Sequence, residues 1–243
     1  MTLKKLYFKG SGGNQLSALL DLPADGRPEA FALFAHCFTC TKNLKSINYI
    51  SRALTRERVA VLRFDFTGLG ESEGDFADTN FSTNISDLMA AAAFLESEYE
   101  APKILIGHSL GGAAVLQAAG QIPSSKAVAV IGAPADPAHV MRHFAEHQET
   151  IALDGEAEIA IEGRPFRIKK QFLDDLGAVQ MEKAVRNLRK ALLVFHSPVD
   201  NTVSIDNAAK IFQYARHPKS FISLDQADHL LMNAEDARYV GAM

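Results

Sequence analysis

Cysteine is scarce in this sequence: only Cys37 and Cys40 occur among its 243 residues. Two cysteines are too few for the disulfide framework of a small secreted domain, and they do not complete a structural zinc site. The chain also has no hydrophobic run of the ~18 residues that a membrane span needs, and its first residues lack the apolar stretch of a signal peptide. These absences predict a cytoplasmic protein with no membrane partner.

An excess of basic residues is absent as well. The 25 lysines and arginines stand against 29 acidic residues, which gives a net charge of −4. Without an excess of basic residues the chain has no net positive charge to attract a phosphate backbone, so nucleic acid is not expected as a partner. The hydrophobic fraction of 47% and the charged fraction of 22% are those of an ordinary folded domain. The length fits one α/β domain that carries a subdomain insertion.

Short aliphatic runs alternate with helical periodicity along most of the chain. Six runs are apolar on both faces, which is typical of parallel strands covered by helices on either side. Between them, apolar residues spaced three and four apart indicate crossover helices. An antiparallel hairpin at 6–8 and 15–22 precedes them. We therefore predict an α/β fold with a mostly parallel central sheet and helices on both faces, its parallel strands at 31–37, 59–66, 103–107, 127–133, 191–196 and 220–225.

One long stretch interrupts this alternation. From 134 to 188 the chain has no run that fits the central sheet, and about 2 to 6 residues would suffice for an ordinary connection. We interpret 134–188 as an inserted cap subdomain on a core formed by 1–133 and 189–243. Its apolar residues are expected to form a small core of the cap, although some could line an acyl pocket: Phe144, Ile151, Phe166, Phe172 and Leu176.

A G-x-S-x-G pattern, from Gly107 to Gly111, lies where a predicted strand becomes a predicted helix. A sharp strand-to-helix turn exposes its central residue, and the glycines remove side chains that would collide with the neighbouring chain. Ser109 is then a candidate nucleophile at the carboxyl edge of the sheet. The alternative is an incidental serine in a glycine-lined turn. The strand before it and the helix after it favour the catalytic interpretation.

A serine nucleophile needs a base that is oriented by an acid. After a strand-to-helix turn of this kind, the acid and then the histidine base follow the serine along the chain. His229 follows the last predicted strand, which places it on the same edge as Ser109. Asp200 follows the strand before that and is the predicted acid. Asp225 is its substitute, whereas Asp228 is adjacent to His229 in the chain and cannot orient its imidazole.

The oxyanion formed during acyl transfer needs two backbone donors. One comes from the residue after the nucleophile, here Leu110, and the other from the loop after the first parallel strand. In that loop Phe38 is the candidate. Cys37 stands where the usual pattern has glycine.

These segments together resemble the α/β-hydrolase family over essentially the whole chain: HCFT, FDFTGLGES, GHSLGG, HSPVDNTV and ADHLL occur in that order. The longer strings HCFTCTKN, RFDFTGLGESEGDF and IGAPADPAHV resemble the hydrolase module that bacterial proteins fuse ahead of an OsmC-like domain. The resemblance implies a serine carboxylesterase with Ser109, Asp200 and His229 as its triad. It also implies a fused or separate OsmC-like domain as partner and a chain cut from a longer protein.

We predict a serine esterase for small or medium acyl esters that requires no metal and no organic cofactor. The alternative from another class is a thiol-redox or regulatory module that works with an OsmC-like peroxidase partner through Cys37 and Cys40, since a C-x-x-C before a helix can act as a redox pair. In the esterase, both cysteines are expected to be paired thiols and dispensable. A zinc site on His139, His143 and His147 is disfavoured, because helical turns are about 5.4 Å apart and the outer two cannot readily share one ion.

Overall fold

The computed structural model describes residues 2–161 and 163–243, and the side chains of all of these except residues 139, 142 and 143. A sheet of eight strands forms the centre, in the order β1-β2-β4-β3-β5-β6-β9-β10. β1, β2 and β4 pair antiparallel, and the other neighbours pair parallel. The strands are β1 (Thr2–Lys9), β2 (Gln15–Leu22), β3 (Ala30–Ala35), β4 (Val59–Phe64), β5 (Ile104–His108), β6 (Ala127–Ile131), β7 (Glu156–Ile161), β8 (Arg164–Lys169), β9 (Ala191–His196) and β10 (Lys219–Ser223).

The predicted mostly parallel sheet and the antiparallel edge hairpin are therefore confirmed. Four strands end two residues earlier than predicted: β3, β4, β6 and β10. β3 stops at Ala35 because the chain turns sharply between Cys37 and Cys40, where the N–H of Cys40 donates to the carbonyl of Cys37. β6 stops at Ile131 because Gly132 has a φ of +56°, which takes the backbone out of the strand conformation.

Helices cover both faces of the sheet. Alternate residues of β3 point to opposite faces, so Phe31 and Leu33 pack in one core cluster and Phe34 in the other. α2 and α3 cover the first cluster, and α1 and α8 cover the second. Among the described residues, no helix has the length and hydropathy that crossing a bilayer requires. The α-helices are α1 (Lys45–Arg56), α2 (Phe81–Glu98), α3 (Leu110–Ala118), α4 (Gln148–Asp154), α5 (Lys170–Gly177), α6 (Met181–Arg186), α7 (Asp206–Tyr214) and α8 (Ala234–Ala242).

Between β6 and β9 the chain leaves the central sheet. It forms a 3₁₀ helix over Pro137–His147, then α4, the antiparallel β7–β8 hairpin, α5 and α6. The expected separate core of this segment is absent among the described residues, because its aromatic rings pack on Phe38 and merge with the core under α2 and α3. The five predicted side chains all belong to or pack on this larger cluster: Phe144, Ile151, Phe166, Phe172 and Leu176.

Candidate active site

Ser109 lies at the turn between β5 and α3. Its φ of +54° is in the left-handed region that residues other than glycine rarely adopt, so the backbone is strained there. The flanking glycines make the turn possible. A methyl group on Gly107 would lie 2.4 Å from the carbonyl oxygen of Gly111, and one on Gly111 would lie 2.3 Å from that of His36. The start of α3 therefore packs directly against the loop that follows β3.

Ser109, His229 and Asp200 form one continuous chain of hydrogen bonds. Nε2 of His229 lies 2.9 Å from Oγ of Ser109, and Nδ1 lies 2.7 Å from Oδ2 of Asp200. Because a carboxylate only accepts, we assign the proton to Nδ1, which leaves Nε2 free to accept from the Ser109 hydroxyl. This is the tautomer that a general base needs to activate a serine.

Asp200 follows β9, and its carboxylate is almost fully buried. Oδ1 accepts the backbone N–H groups of Thr202 and Val203 at 2.9 and 2.8 Å. Burial raises the pKa of Asp200, but the hydrogen bond from His229 and its charge, together with the two N–H groups, outweigh burial and lower the pKa below its usual value. The carboxylate is thus ionised at neutral pH and can stabilise an imidazolium on His229.

The two competing acids bind other partners. Asp225 accepts the hydroxyl of Ser223 at 2.6 Å, and Asp228 accepts the backbone N–H of Leu230 at 2.9 Å. Neither is a hydrogen-bond partner of the His229 ring among the described contacts. The structure therefore brings Ser109, His229 and Asp200 together and leaves both competitors outside the chain of hydrogen bonds.

Two buried histidines that the sequence analysis did not assign hold the loops around His229. Nε2 of His108 donates to the carbonyl of His229, and Nε2 of His196 donates to that of Val203, each at 2.7 Å. Burial, and then the charge of His229, lowers the pKa of His108 to about 3, and burial lowers the pKa of His196 as well. Both rings are therefore neutral donors. Their sequence signal is a histidine at the last position of an apolar parallel strand, β5 or β9.

The predicted oxyanion donors, Phe38 and Leu110, lie on the two segments that Gly111 brings into contact. Among the described residues, none accepts a hydrogen bond from the backbone N–H of either. Unpaired N–H groups in a protein interior are rare, and an anion is a natural partner for them. Phe38 and Leu110 therefore remain the predicted oxyanion donors.

The loop that carries Phe38 is closed by a disulfide between Cys37 and Cys40. The expectation that the two cysteines are paired thiols was wrong, because the tight turn brings the two Cα atoms to 5.2 Å, within the range that a disulfide spans. The C-x-x-C spacing indicated a redox pair but did not reveal that the pair closes a turn.

An ion cluster around a buried lysine anchors the far end of this loop. The Lys42 side chain is fully buried, and its Nζ contacts the carboxylates of Asp65 and Glu71. Its backbone N–H donates to Asp65 at 2.7 Å, and its carbonyl accepts from Arg63. The hydrogen bonds from Lys42 and then Lys5 lower the pKa of Glu71 to about 2. Sequence reasoning missed this cluster, since a lysine in a polar loop carries no signal of burial.

A cavity of about 310 Å³ opens beside Ser109 and His229. The turn that holds Phe38 forms one wall, and the segment between β6 and β9 contributes Val140, Ala160 and Ile161. Phe144 and Phe172 do not line it; they pack behind the Phe38 ring, at 6.1 and 5.5 Å between ring centroids. The cavity is therefore mainly apolar around a polar reactive centre.

The zinc alternative involved His139, His143 and His147, and the side chains of the first two lie outside the described residues. Among the side chains that are described, no group of three or more histidine, cysteine, aspartate or glutamate residues is arranged to hold a metal ion.

Known proteins similar to this chain differ in sequence identity and in the share of the chain that they match. The esterase domain of a Rhodothermus marinus protein, known from a crystal structure, is 57% identical and superposes with a TM-score of 0.81, covering 100% of this chain and 95% of that one. The uncharacterized protein YfhR of Salmonella typhimurium is 24% identical over 97% of this chain and 77% of its own length.

A shorter match links the chain to the mitochondrial palmitoyl-protein thioesterase ABHD10 of Rattus norvegicus. The two are 35% identical over 101 residues, which is 40% of this chain and 33% of that protein. A family model described as alpha/beta hydrolase family matches residues 32–242, which include the strand-to-helix turn at Ser109 and the loops of Asp200 and His229. On this match and on its fold, the chain belongs to the alpha/beta hydrolase family.

Proposed function

We propose that the protein is a serine esterase that cleaves small or medium acyl esters through an acyl-enzyme intermediate. The observation that carries the proposal is the continuous hydrogen-bonded chain from Ser109 through His229 to Asp200 beside an apolar cavity. The 57% identity to an esterase domain supports the same reaction class.

In the first half of the reaction, Ser109 Oγ attacks the ester carbonyl carbon while Nε2 of His229 takes the hydroxyl proton. The substrate oxygen becomes negative and accepts hydrogen bonds from the N–H groups of Phe38 and Leu110, the kind of contact whose loss costs about 10²- to 10³-fold in rate. His229 then gives the proton to the leaving alcohol as the carbon–oxygen bond breaks. The acyl group stays on Ser109.

In the second half, water attacks the acyl carbon and His229 accepts its proton. The bond to Ser109 breaks, His229 returns the proton to Oγ, and the carboxylic acid leaves. Asp200 stays ionised throughout and stabilises the transient imidazolium. Every proton transfer in this cycle passes through His229, so the proposed chemistry calls for no cofactor.

The size of the cavity supports small or medium acyl groups. Its volume of about 310 Å³ is at the lower end of the roughly 300 to 1,000 Å³ found for ligand pockets. We propose that 134–188 acts as a cap and that Val140 and Ile161 limit the acyl length. Phe144 and Phe172 support the Phe38 wall of the cavity from behind rather than touching the acyl group.

Thioester hydrolysis is a second candidate, favoured by the 35% identity to a palmitoyl-protein thioesterase over 101 residues. The same acyl-enzyme serves both reactions, and only the leaving group differs. A comparison of kcat/KM for the butyryl ester of p-nitrophenol and for a matched butyryl thioester distinguishes the two functions. The substrate with the higher value identifies the preferred reaction.

The cytoplasmic location and an OsmC-like partner remain predictions from the sequence. So does the alternative in which Cys37 and Cys40 carry out peroxide chemistry with that partner. A peroxide-consumption assay of this chain with a dithiol tests the alternative directly, and turnover there without esterase activity would replace our proposal.

The esterase proposal is tested by the Ser109→Ala variant, assayed with p-nitrophenyl acetate and butyrate. We expect activity to fall by many orders of magnitude, ~10⁶-fold in the best-studied case, with unchanged circular dichroism. Ser97→Ala, an exposed serine on α2, is the matched control and should retain full activity. Ester turnover that survives in Ser109→Ala would refute the assignment.

A further inference from the structure

The disulfide between Cys37 and Cys40 closes a four-residue turn. The N–H of Cys40 donates to the carbonyl of Cys37 at 3.2 Å, so the two cysteines are the first and last residues of the turn. Phe38, the proposed oxyanion donor, is its second residue. The covalent bond thus spans the backbone whose N–H must point at the substrate.

The third residue of the turn is unsuited to its conformation. Thr39 has a φ of +59°, in the left-handed region, where this position of a turn strongly favours glycine or asparagine. A β-branched side chain is among the least tolerant of that region. The local sequence therefore does not hold the turn by itself, and other bonds must hold it.

Besides the disulfide, hydrogen bonds and ring packing support the turn. The Thr39 hydroxyl donates to the carbonyl of Phe38 at 2.7 Å, and Arg164 of β8 donates to the carbonyl of Thr39. The first bond is local, and the second comes from the hairpin of the segment between β6 and β9. Breaking the disulfide would leave the strained turn supported by these two bonds and by the hydrogen bond from Cys40 to Cys37. Nδ1 of His36 also donates to the carbonyl of Cys37 at 2.8 Å. The Phe38 ring remains packed on three other rings, those of Phe76, Phe144 and Phe172.

The sulfur–sulfur bond also lies beside the reactive centre. Both cysteines line the cavity that holds Ser109 and His229. A small thiol that enters the cavity by the substrate route therefore meets the disulfide. A bulky reductant does not, since the two cysteines are otherwise buried.

We propose, building on the esterase function proposed above, that the Cys37–Cys40 bond is a redox modification site that controls hydrolysis. A small dithiol is the reductant. One of its thiolates attacks a cysteine sulfur, which breaks the Cys37–Cys40 bond, forms a mixed disulfide and releases the other cysteine as a thiol. The second thiol of the reductant, as its thiolate, then attacks the reductant's own sulfur in the mixed disulfide, which forms the oxidised cyclic dithiol and releases the remaining cysteine. Two electrons and two protons pass to the protein, giving two cysteine thiols and one oxidised dithiol. The turn then relaxes, and the Phe38 N–H leaves its position.

The test measures hydrolysis of p-nitrophenyl butyrate before and after treatment of the folded protein with dithiothreitol. Iodoacetamide labelling and peptide mass spectrometry establish that both cysteines are reduced. We expect kcat to fall at least about tenfold with little change in KM, because an oxyanion contact acts in the transition state. Reoxidation should restore kcat.

A second variant separates the turn from a general effect on folding. In Thr39→Gly the left-handed position suits the residue, so the ratio of oxidised to reduced activity should approach one. In the double variant Cys37→Ser with Cys40→Ser, kcat should equal that of the reduced wild type and should not change with dithiothreitol. This result would replace the expectation from the sequence that both cysteines are dispensable.

Three results would overturn the redox proposal: unchanged kcat in the fully reduced protein, a disulfide that dithiothreitol cannot reach under native conditions, or loss of near-ultraviolet circular dichroism on reduction. Each of these leaves the esterase function intact, because the oxidised protein is assayed in the same experiment. Absence of hydrolysis in the oxidised protein would instead refute the esterase function itself.

Discussion

Asp200 is the residue that fixes the tautomer of His229. Asp200→Asn retains the shape of the side chain but favours the wrong imidazole tautomer, so we expect kcat to fall by roughly 10⁴-fold. Asp225→Asn is the matched control, because Asp225 also follows a strand but binds Ser223. Steady-state kinetics with p-nitrophenyl butyrate measure both. A large loss in Asp225→Asn with none in Asp200→Asn would show that the acid is misassigned.

Buried neutral histidines make stability depend on pH. Burial lowers the pKa values of His36, His108 and His196 in the folded protein, that of His108 to about 3. In the unfolded chain a histidine has a pKa of about 6.5. Below that pH the unfolded chain binds protons that the folded protein does not, so the free energy of unfolding falls as pH falls. Each such histidine contributes a slope of up to about 1.4 kcal/mol per pH unit.

Urea unfolding between pH 7.5 and 5 measures this slope. His108→Gln should make this slope shallower, because it removes one of the buried neutral rings. A free energy of unfolding that stays constant or rises as the pH falls through this window would contradict the buried neutral state of these rings.

At the level of elements, we expect the contact between the start of α3 and the loop after β3 to set the distance between the two proposed oxyanion donors. Gly111→Ala would place a methyl group 2.3 Å from the carbonyl of His36 and push that loop away. We expect at least a 10²-fold loss of kcat and about 1 to 3 kcal/mol of destabilisation from overpacking. Gly120→Ala is the control, because nothing lies within 4 Å of its new methyl group. Full activity in Gly111→Ala would show that this contact does not position the oxyanion site.

The segment between β6 and β9 is expected to set acyl-chain preference through the residues that line the cavity. Ile161→Ala enlarges the cavity and should shift relative kcat/KM from p-nitrophenyl acetate and butyrate towards longer esters, about tenfold for a few methylene groups. Ile168→Ala removes a similar side chain that is buried in β8 away from the cavity. Equal chain-length profiles for the two variants and the wild type would exclude a substrate-facing role for Ile161.

Across the whole molecule, the sequence predicted best what depends on periodicity and strand ends. Runs of residues that are apolar on both faces predicted where the parallel strands lie. Ser109, Asp200 and His229 each follow the carboxyl end of one of these strands, so they were predicted to lie on one edge of the sheet. The contacts that support this edge could not be predicted, because they join residues distant in sequence. The bond from His108 to His229 and the burial of Lys42 follow only from the folded chain.

The contacts of the segment between β6 and β9 could not be predicted from the sequence either. Its apolar residues were recognised, but which of them face the cavity depends on how Phe38 packs against Phe144 and Phe172. Helical periodicity assigns a buried face and does not say what covers it. The disulfide likewise depends on a tight turn that the C-x-x-C spacing alone does not imply.

The central claim is that Ser109 is the nucleophile of this site, and covalent labelling tests it most directly. The wild-type protein is treated with a fluorophosphonate, and the modified residue is identified by peptide mass spectrometry while the remaining hydrolysis of p-nitrophenyl butyrate is measured. We expect one label per molecule, on Ser109, with activity lost in proportion to labelling. A label on another residue, or a fully labelled protein that still hydrolyses the ester, would contradict the claim.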